Sequence, residues 1–458
     1  MFSGALSLRH YWFQTHGWDL GIFDQAIYLI SRGWPAESSL LGFHILGDHG
    51  ALVLYPIGWI SSFFPSITFL FVLQGMALAS GVFPLAKMAR QNFLSRRATA
   101  VSLFVFLLYP IIFNTAIFDF HPEVFAVPLL LEALVILADS HSRAPWRVLL
   151  YLLFALTCKI TISLLVFGIG VWLLLQKKRL AGFLTCALGV SWFLLVGWIL
   201  IPSFGGENAN IVRHTAKYSL QEGTLFDFQY LQSISGKLFV QIVSPASIEY
   251  LFLLILPVIY LLMHRSRRRL LFDLLPFTPL LILNLAATMA RMTTLVYQYS
   301  LLLVPFLAVS VQRTLSSGPK GIIGYPTWMH RRGLNIILVW SILTFLIFSR
   351  ASFFLGPFQD RLETASDRRE AISYVGNDSA VLTSDYLTPH LSRRKIVVQP
   401  NEEHLEGLDK FDNILLDTLY PGWNSSIEEQ IISRLENNPD WFVKYRKGSV
   451  VLFEKSTH

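Results

Sequence analysis

Long apolar runs separated by short polar breaks dominate the chain from about residue 66 to 350. Runs near 66–86, 98–118, 122–139, 180–202, 247–264, 270–288, 298–312 and 334–350 read as membrane-crossing helices, since roughly 20 apolar residues cover the hydrocarbon core. The apolar stretch between Arg147 and Lys177 is interrupted by Lys159. It is too long for one crossing and short for two, which predicts a pair of short helices meeting near Lys159. Residues 49–64 fall short of a crossing and are expected along the membrane interface or in a hairpin element. In "FDQAIYLI", Phe23, Ala26, Ile27 and Ile30 repeat with helical spacing. That predicts an interfacial helix with its apolar side down and Asp24 in its first turn, facing water or a cleft.

From about residue 351 the pattern becomes that of a soluble domain. "AVLTS" and "NILLD" predict buried strands, "DRREAISYV" and "SSIEEQIISRL" amphipathic helices, and "WFVKYRKGSVVLFEK" a hairpin turning at Lys447 and Gly448. The expected organisation is an outer loop with interfacial helices over 1–64, a polytopic membrane domain over 65–350 and a small extracytoplasmic α/β domain over 351–458.

Composition agrees with this class: 53% of the residues are hydrophobic and 15% charged. The net charge of +7 does not imply a nucleic-acid partner, because in a membrane protein basic residues collect in cytoplasmic loops. The clusters Lys87/Arg90/Arg96/Arg97, Arg143/Arg147, Lys177–Arg179, Arg265/Arg267–Arg269 and Arg313/Lys320/Arg331/Arg332 all fall on one side of the expected spans. That side is therefore read as cytoplasmic. Everything between the clusters faces out, including the opening segment, which implies a membrane helix upstream of "MFSGALSLRHYWF". Cys158 and Cys186 lie in apolar runs and do not suggest a disulfide or a zinc site.

The outward set holds the candidate chemistry. "GWDLGIFDQ" carries Asp19 and Asp24, "GDH" Asp48 and His49, and "DFHPE" Asp119, His121 and Glu123. A carboxylate at the start of a helix also serves as a cap, and Pro122 suits the first helical position, so capping competes with a functional role for each acid. Asp19 and Asp24 lie about 140° apart on an ideal helix, too far for a paired site. Asp48 and His49 suit several divalent ions but show no metal-specific spacing, which leaves a divalent metal open as a cofactor. Lys159, a charge within an apolar run, either snorkels or binds an anionic head group.

Together, "WDLGIFDQ", "LGDH", "FDFHPE" and "YQYS" resemble a bacterial membrane-protein family known as domain of unknown function 2079. That family is similar to the GT-C glycosyltransferases, which draw sugar from a polyprenyl-phosphate donor. The resemblance implies a GT-C-like fold of about ten membrane helices with short ones counted. It further implies inverting sugar transfer to an envelope acceptor on the extracytoplasmic face. Asp24 would be the general base with Asp19 as fallback, and Asp119 and His121 would orient the acceptor. Lys159 would hold the donor phosphate, assisted by Arg213 or Arg291, while Tyr297 and Tyr299 would border the sugar or the lipid. Ile160 and Thr161 stand where the related enzymes carry an acidic pair after the lysine. A membrane transporter or a lipid-binding scaffold is the alternative, because intramembrane ionisable residues also mark transport pathways.

Overall fold

The computed structural model describes residues 2–139, 145–205, 236–263, 267–317, 329–356, 358–359, 362–422 and 425–456. Four described helices are long and apolar enough to cross a membrane: Ile67–Gln91, Arg179–Gly205, Pro245–Met263 and Gln298–Ser316. The pair Arg96–Leu107 and Pro110–Ile117 makes a fifth if its 50° bend is one span. Pro110 explains that bend: it lacks an N–H, clashes with the preceding turn and sits at the first position of the second helix. Shorter apolar helices, Trp146–Leu156, Ile162–Leu175, Leu270–Leu285 and Arg332–Phe348, complete the bundle. The break expected near Lys159 is present, between Leu156 and Ile162.

Small residues let the helices approach closely. A Cβ on Gly170 would lie 2.5 Å from Cys186, and one on Gly189 2.8 Å from the Phe167 backbone. The Ile162–Leu175 and Arg179–Leu194 helices therefore pack almost backbone to backbone, as membrane helices do where no hydrophobic force draws them together. At one end of the bundle three of the basic residues are bound in place: Lys87 to Glu132 at 3.1 Å, Arg313 to Asp273 at 2.5 Å and Arg97 to Asn335 at 2.5 Å. Asp19, Asp119, His121, Glu123 and Lys159 gather at the other.

The C-terminal region forms a five-stranded sheet from Val381–Thr383 (β1), Val397–Val398 (β2), Asn413–Asp417 (β3), Trp441–Lys447 (β4) and Val450–Lys455 (β5). The strand order is β2-β1-β3-β5-β4, with β1 parallel to β2 and β3 and the β4–β5 hairpin antiparallel. Helices Ala365–Ser373 and Ser425–Glu436 accompany it, and both faces are covered because β1 and β3 are buried along their whole length. One core residue comes from elsewhere. Phe13, from the segment after the first helix, has a positive φ of 55° and sits 2% exposed among Ala365, Val375, Leu387 and Leu391. An aromatic side chain at positive φ is conformationally costly, and its burial in the C-terminal core is what holds it there.

Candidate functional site

After Phe13 the chain makes a π-helical turn over Gly17–Gly21 and then the helix Ile22–Ser31. The π turn changes the angular phase between the two ends of this segment, and its two carboxylates enter different surroundings. Asp24 is fully buried. Its Oδ1 and Oδ2 accept a forked pair of bonds from Arg393 at 2.9–3.2 Å, and Oδ2 also accepts from the Ser392 hydroxyl at 2.7 Å. The expectation that Asp24 faces water or a cleft is thus corrected: it faces the C-terminal domain. Neither acid caps the helix through its side chain. Asp19 keeps a third of its side chain exposed and lies 3.6 Å from His121 Nε2.

The "DFHPE" segment leaves the Pro110–Ile117 helix and re-enters through a 3-10 turn begun by Pro122. His121 Nδ1 lies 2.8 Å from the Asp119 carbonyl; a carbonyl only accepts, so Nδ1 carries a proton and Nε2 is directed at Asp19. The next acid, Glu123, takes a hydrogen bond from Lys159 Nζ at 2.8 Å. Lys159 owes its position to the broken helix: Ile160 donates to the His49 carbonyl at 3.2 Å, and Val53 donates to the Thr157 carbonyl at 3.1 Å. The ammonium lies 5.7 Å from the Tyr299 ring centre. Asp48 and His49 pair with each other at 3.1 Å.

The electrostatics of the cluster are mutual. Burial disfavours the charge on Glu123, yet the Lys159 ammonium outweighs it and holds the carboxyl at about 2. Burial likewise opposes the Lys159 charge, but Glu123, Tyr299 and Asp48 raise its pKa, so the pair is ionic. Asp19 is pulled down, against the desolvation of its partly covered carboxyl, by the His121 ring 3.6 Å away and by the charges of His121, His16 and Lys159. His121 is raised against burial chiefly by Asp19. Asp119 goes the other way: burial raises it more than Arg9 and His16 lower it. Its Oδ2 accepts from the His16 backbone at 2.9 Å. Asp119 Oδ1 and Glu123 Oε2 are buried without a hydrogen-bond partner among the described residues.

Asp19, Asp119, His121, Glu123 and Lys159 therefore converge, with Asp48, His49, Tyr297 and Tyr299 around them. Tyr297 packs edge-on to Phe118 at 5.7 Å, and the exposed Arg291 stands 6.0 Å from the Tyr297 ring. Arg213 lies outside the described residues. Among the described residues no group of three His, Cys, Asp or Glu side chains is placed to hold a metal ion.

Sequence reasoning missed the contribution of the C-terminal domain. Asp385, just past β1, accepts from Gly17 N at 2.8 Å and pairs with His16 Nδ1 at 2.8 Å. Burial disfavours the His16 charge, but the bond to Asp385 and the charges of Asp119 and Asp385 raise its pKa. A Cβ on Gly17 would lie 2.5 Å from Thr388 Cβ, so the glycine is what lets the two surfaces meet. "Ser-Asp" directly after an apolar strand was the available signal, since polar residues at the carboxyl ends of parallel strands commonly line sites.

No curated protein sequence matches the chain. Among solved structures it is similar to ArnT from Cupriavidus metallidurans bound to undecaprenyl phosphate, at 13% identity and a TM-score of 0.57, over 99% of this chain and 95% of that one. The apo state of the same protein matches at 12% identity and a TM-score of 0.54, over 98% and 96%. At such identity the likeness is one of fold, and it bears out the GT-C-like polytopic architecture with a small C-terminal sheet domain. The motifs carry the rest of the assignment: the model of the predicted membrane protein family DUF2079 matches residues 9–452, and the chain belongs to that family.

Proposed function

We propose that the protein transfers a sugar from a polyprenyl-phosphate donor to an envelope acceptor at the extracytoplasmic end of the bundle. The observation that carries this reading is the convergence of one buried ammonium, Lys159, with a partly exposed carboxylate, Asp19, at the end opposite the basic loops. The fold it shares with a protein solved with undecaprenyl phosphate adds support.

The occupied lone pairs of Asp24 favour Asp19 as the general base. Asp19 takes the proton of the acceptor hydroxyl as that oxygen attacks the anomeric carbon. The carbon–oxygen bond to the donor phosphate breaks, and its electron pair leaves with the phosphate. Lys159 has three donors, of which Glu123 uses one, and the others stabilise the charge growing on the departing phosphate. His121 holds Asp19 in place from one side, and its charge keeps the carboxylate ionised.

Titration of the purified protein with polyprenyl phosphate tests the reading. Saturable binding is expected, lost in Lys159→Ala and retained in both Asp19→Asn and Asp24→Asn. Absence of binding by the folded wild type would sink the transferase reading and turn attention to transport.

A further inference from the structure

A cavity of about 380 Å3, whose walls do not include Lys159, lies where the first helix and the start of Ile67–Gln91 meet the C-terminal domain. Its walls include Ser7 and His10 from Phe2–Tyr11, Thr68 and Phe71 from Ile67–Gln91, and Arg369 and Ile372 from Ala365–Ser373. The His10 ring stacks on His390 at 4.0 Å and closes one side.

Three features define what fits there. The first is depth. Thr68 and Phe71 belong to the end of Ile67–Gln91 remote from Lys87 and Arg90, and the residues just before that helix include Trp59, Phe63 and Phe64, exposed by 66, 65 and 57%. Exposed aromatics beside the end of a spanning helix mark the boundary between acyl chains and water. The second is the lining, which is mostly apolar, as a glycerol–acyl region requires. The third is charge. Arg368 is paired with Asp417 and Arg393 with Asp24. Arg369, by contrast, lies over the Tyr11 ring at 4.3 Å, donates to the Tyr11 carbonyl at 3.1 Å and has no carboxylate in ion-pair range among the described residues. A guanidinium at the mouth of an apolar cavity, at headgroup depth, matches a phosphate diester.

We infer that this cavity binds the head group of an anionic phospholipid from the surrounding leaflet, its phosphate on Arg369 and its glycerol–acyl region against Phe71 and Ile372. The site is separate from the proposed donor site and does not depend on the transferase reading. A bound lipid there would brace the C-terminal domain against the membrane domain.

Native mass spectrometry of the full chain, released from detergent with dioleoyl phosphatidylglycerol, dioleoyl phosphatidylcholine or inorganic phosphate, tests it. Phosphatidylglycerol should bind in preference to phosphatidylcholine, and Arg369→Gln should weaken it about five-fold. Ile372→Trp, which fills the cavity without touching charge, should abolish binding, and Lys159→Ala should leave it unchanged. Equal binding of the two lipids would overturn the inference, as would wild-type binding by Ile372→Trp. Displacement of the lipid by inorganic phosphate alone would assign the site to a free anion. Loss of binding in Lys159→Ala would place the lipid in the donor site instead.

Discussion

Two charged clusters flank the segment from His16 to Asp24, and they differ in how fully their bonds are used. At the seam with the C-terminal domain, Asp24 is fully buried and both its oxygens are occupied by Arg393 and Ser392. At the bundle end, Asp19 is partly exposed and Lys159 keeps donors in reserve; among the described residues Glu123 Oε2 is buried without a hydrogen-bond partner, and Asp119 Oδ1 has only Arg9 Nη1 at 3.6 Å. Saturated buried pairs fix geometry. Unsaturated ones, beside an exposed carboxylate, leave capacity for a substrate. Burial alone does not separate the two; the count of unused donors and acceptors does.

The sharpest way to break this contrast is Arg393→Ala. It strands the buried Asp24 charge and should cost about 3 kcal/mol, read as a lowered denaturation midpoint in detergent. Pairing it with Asp24→Leu should recover most of that loss. A silent Arg393→Ala would mean that the seam is not a closed pair. Next in size, Lys159→Ala strands Glu123 and should lower stability by about 2 to 3 kcal/mol. Adding Glu123→Gln should restore the stability but not the lipid binding, separating the structural use of the ammonium from its functional use. Asp19→Asn should change stability by less than about 1 kcal/mol, because the group is partly solvated, while eliminating transfer once a donor is known. A large stability loss there would move Asp19 into the structural class.

The smallest effect concerns pH. His16 has a raised pKa in the folded protein, so its pairing with Asp385 contributes in full below its unfolded pKa of about 6.5 and is lost as pH rises through the folded value. The thermal midpoint should therefore fall between about pH 6 and pH 9 in the wild type, and fall less in His16→Gln. Equal slopes in the two proteins would remove His16 from the seam.

How much of this was legible depended on the range of the interaction. The break at Lys159, the strands at Val381–Thr383 and Asn413–Asp417 and the terminal hairpin follow from local pattern, and all are found. The helix at Ile22–Ser31 was also legible, but the partner of Asp24 was not: Arg393 is 369 residues away and no local signal links them. The helical spacing that set Asp19 apart from Asp24 agrees with their separate partners, although Asp19 sits in a π turn over Gly17–Gly21 that the sequence does not announce. Nothing in the local pattern singles out Phe13, and only the assembled fold reveals it inside the C-terminal core.

That same separation imposes a schedule on synthesis. Asp24 emerges 369 residues before Arg393, which at about 5–20 residues per second is an interval of roughly 20–70 s. Throughout that time the opening segment is made but has no seat, and its carboxylate must stay hydrated. This segment is therefore among the last parts to reach its final form, and a chain that stops short of Arg393 leaves Asp24 without the partner that seats it.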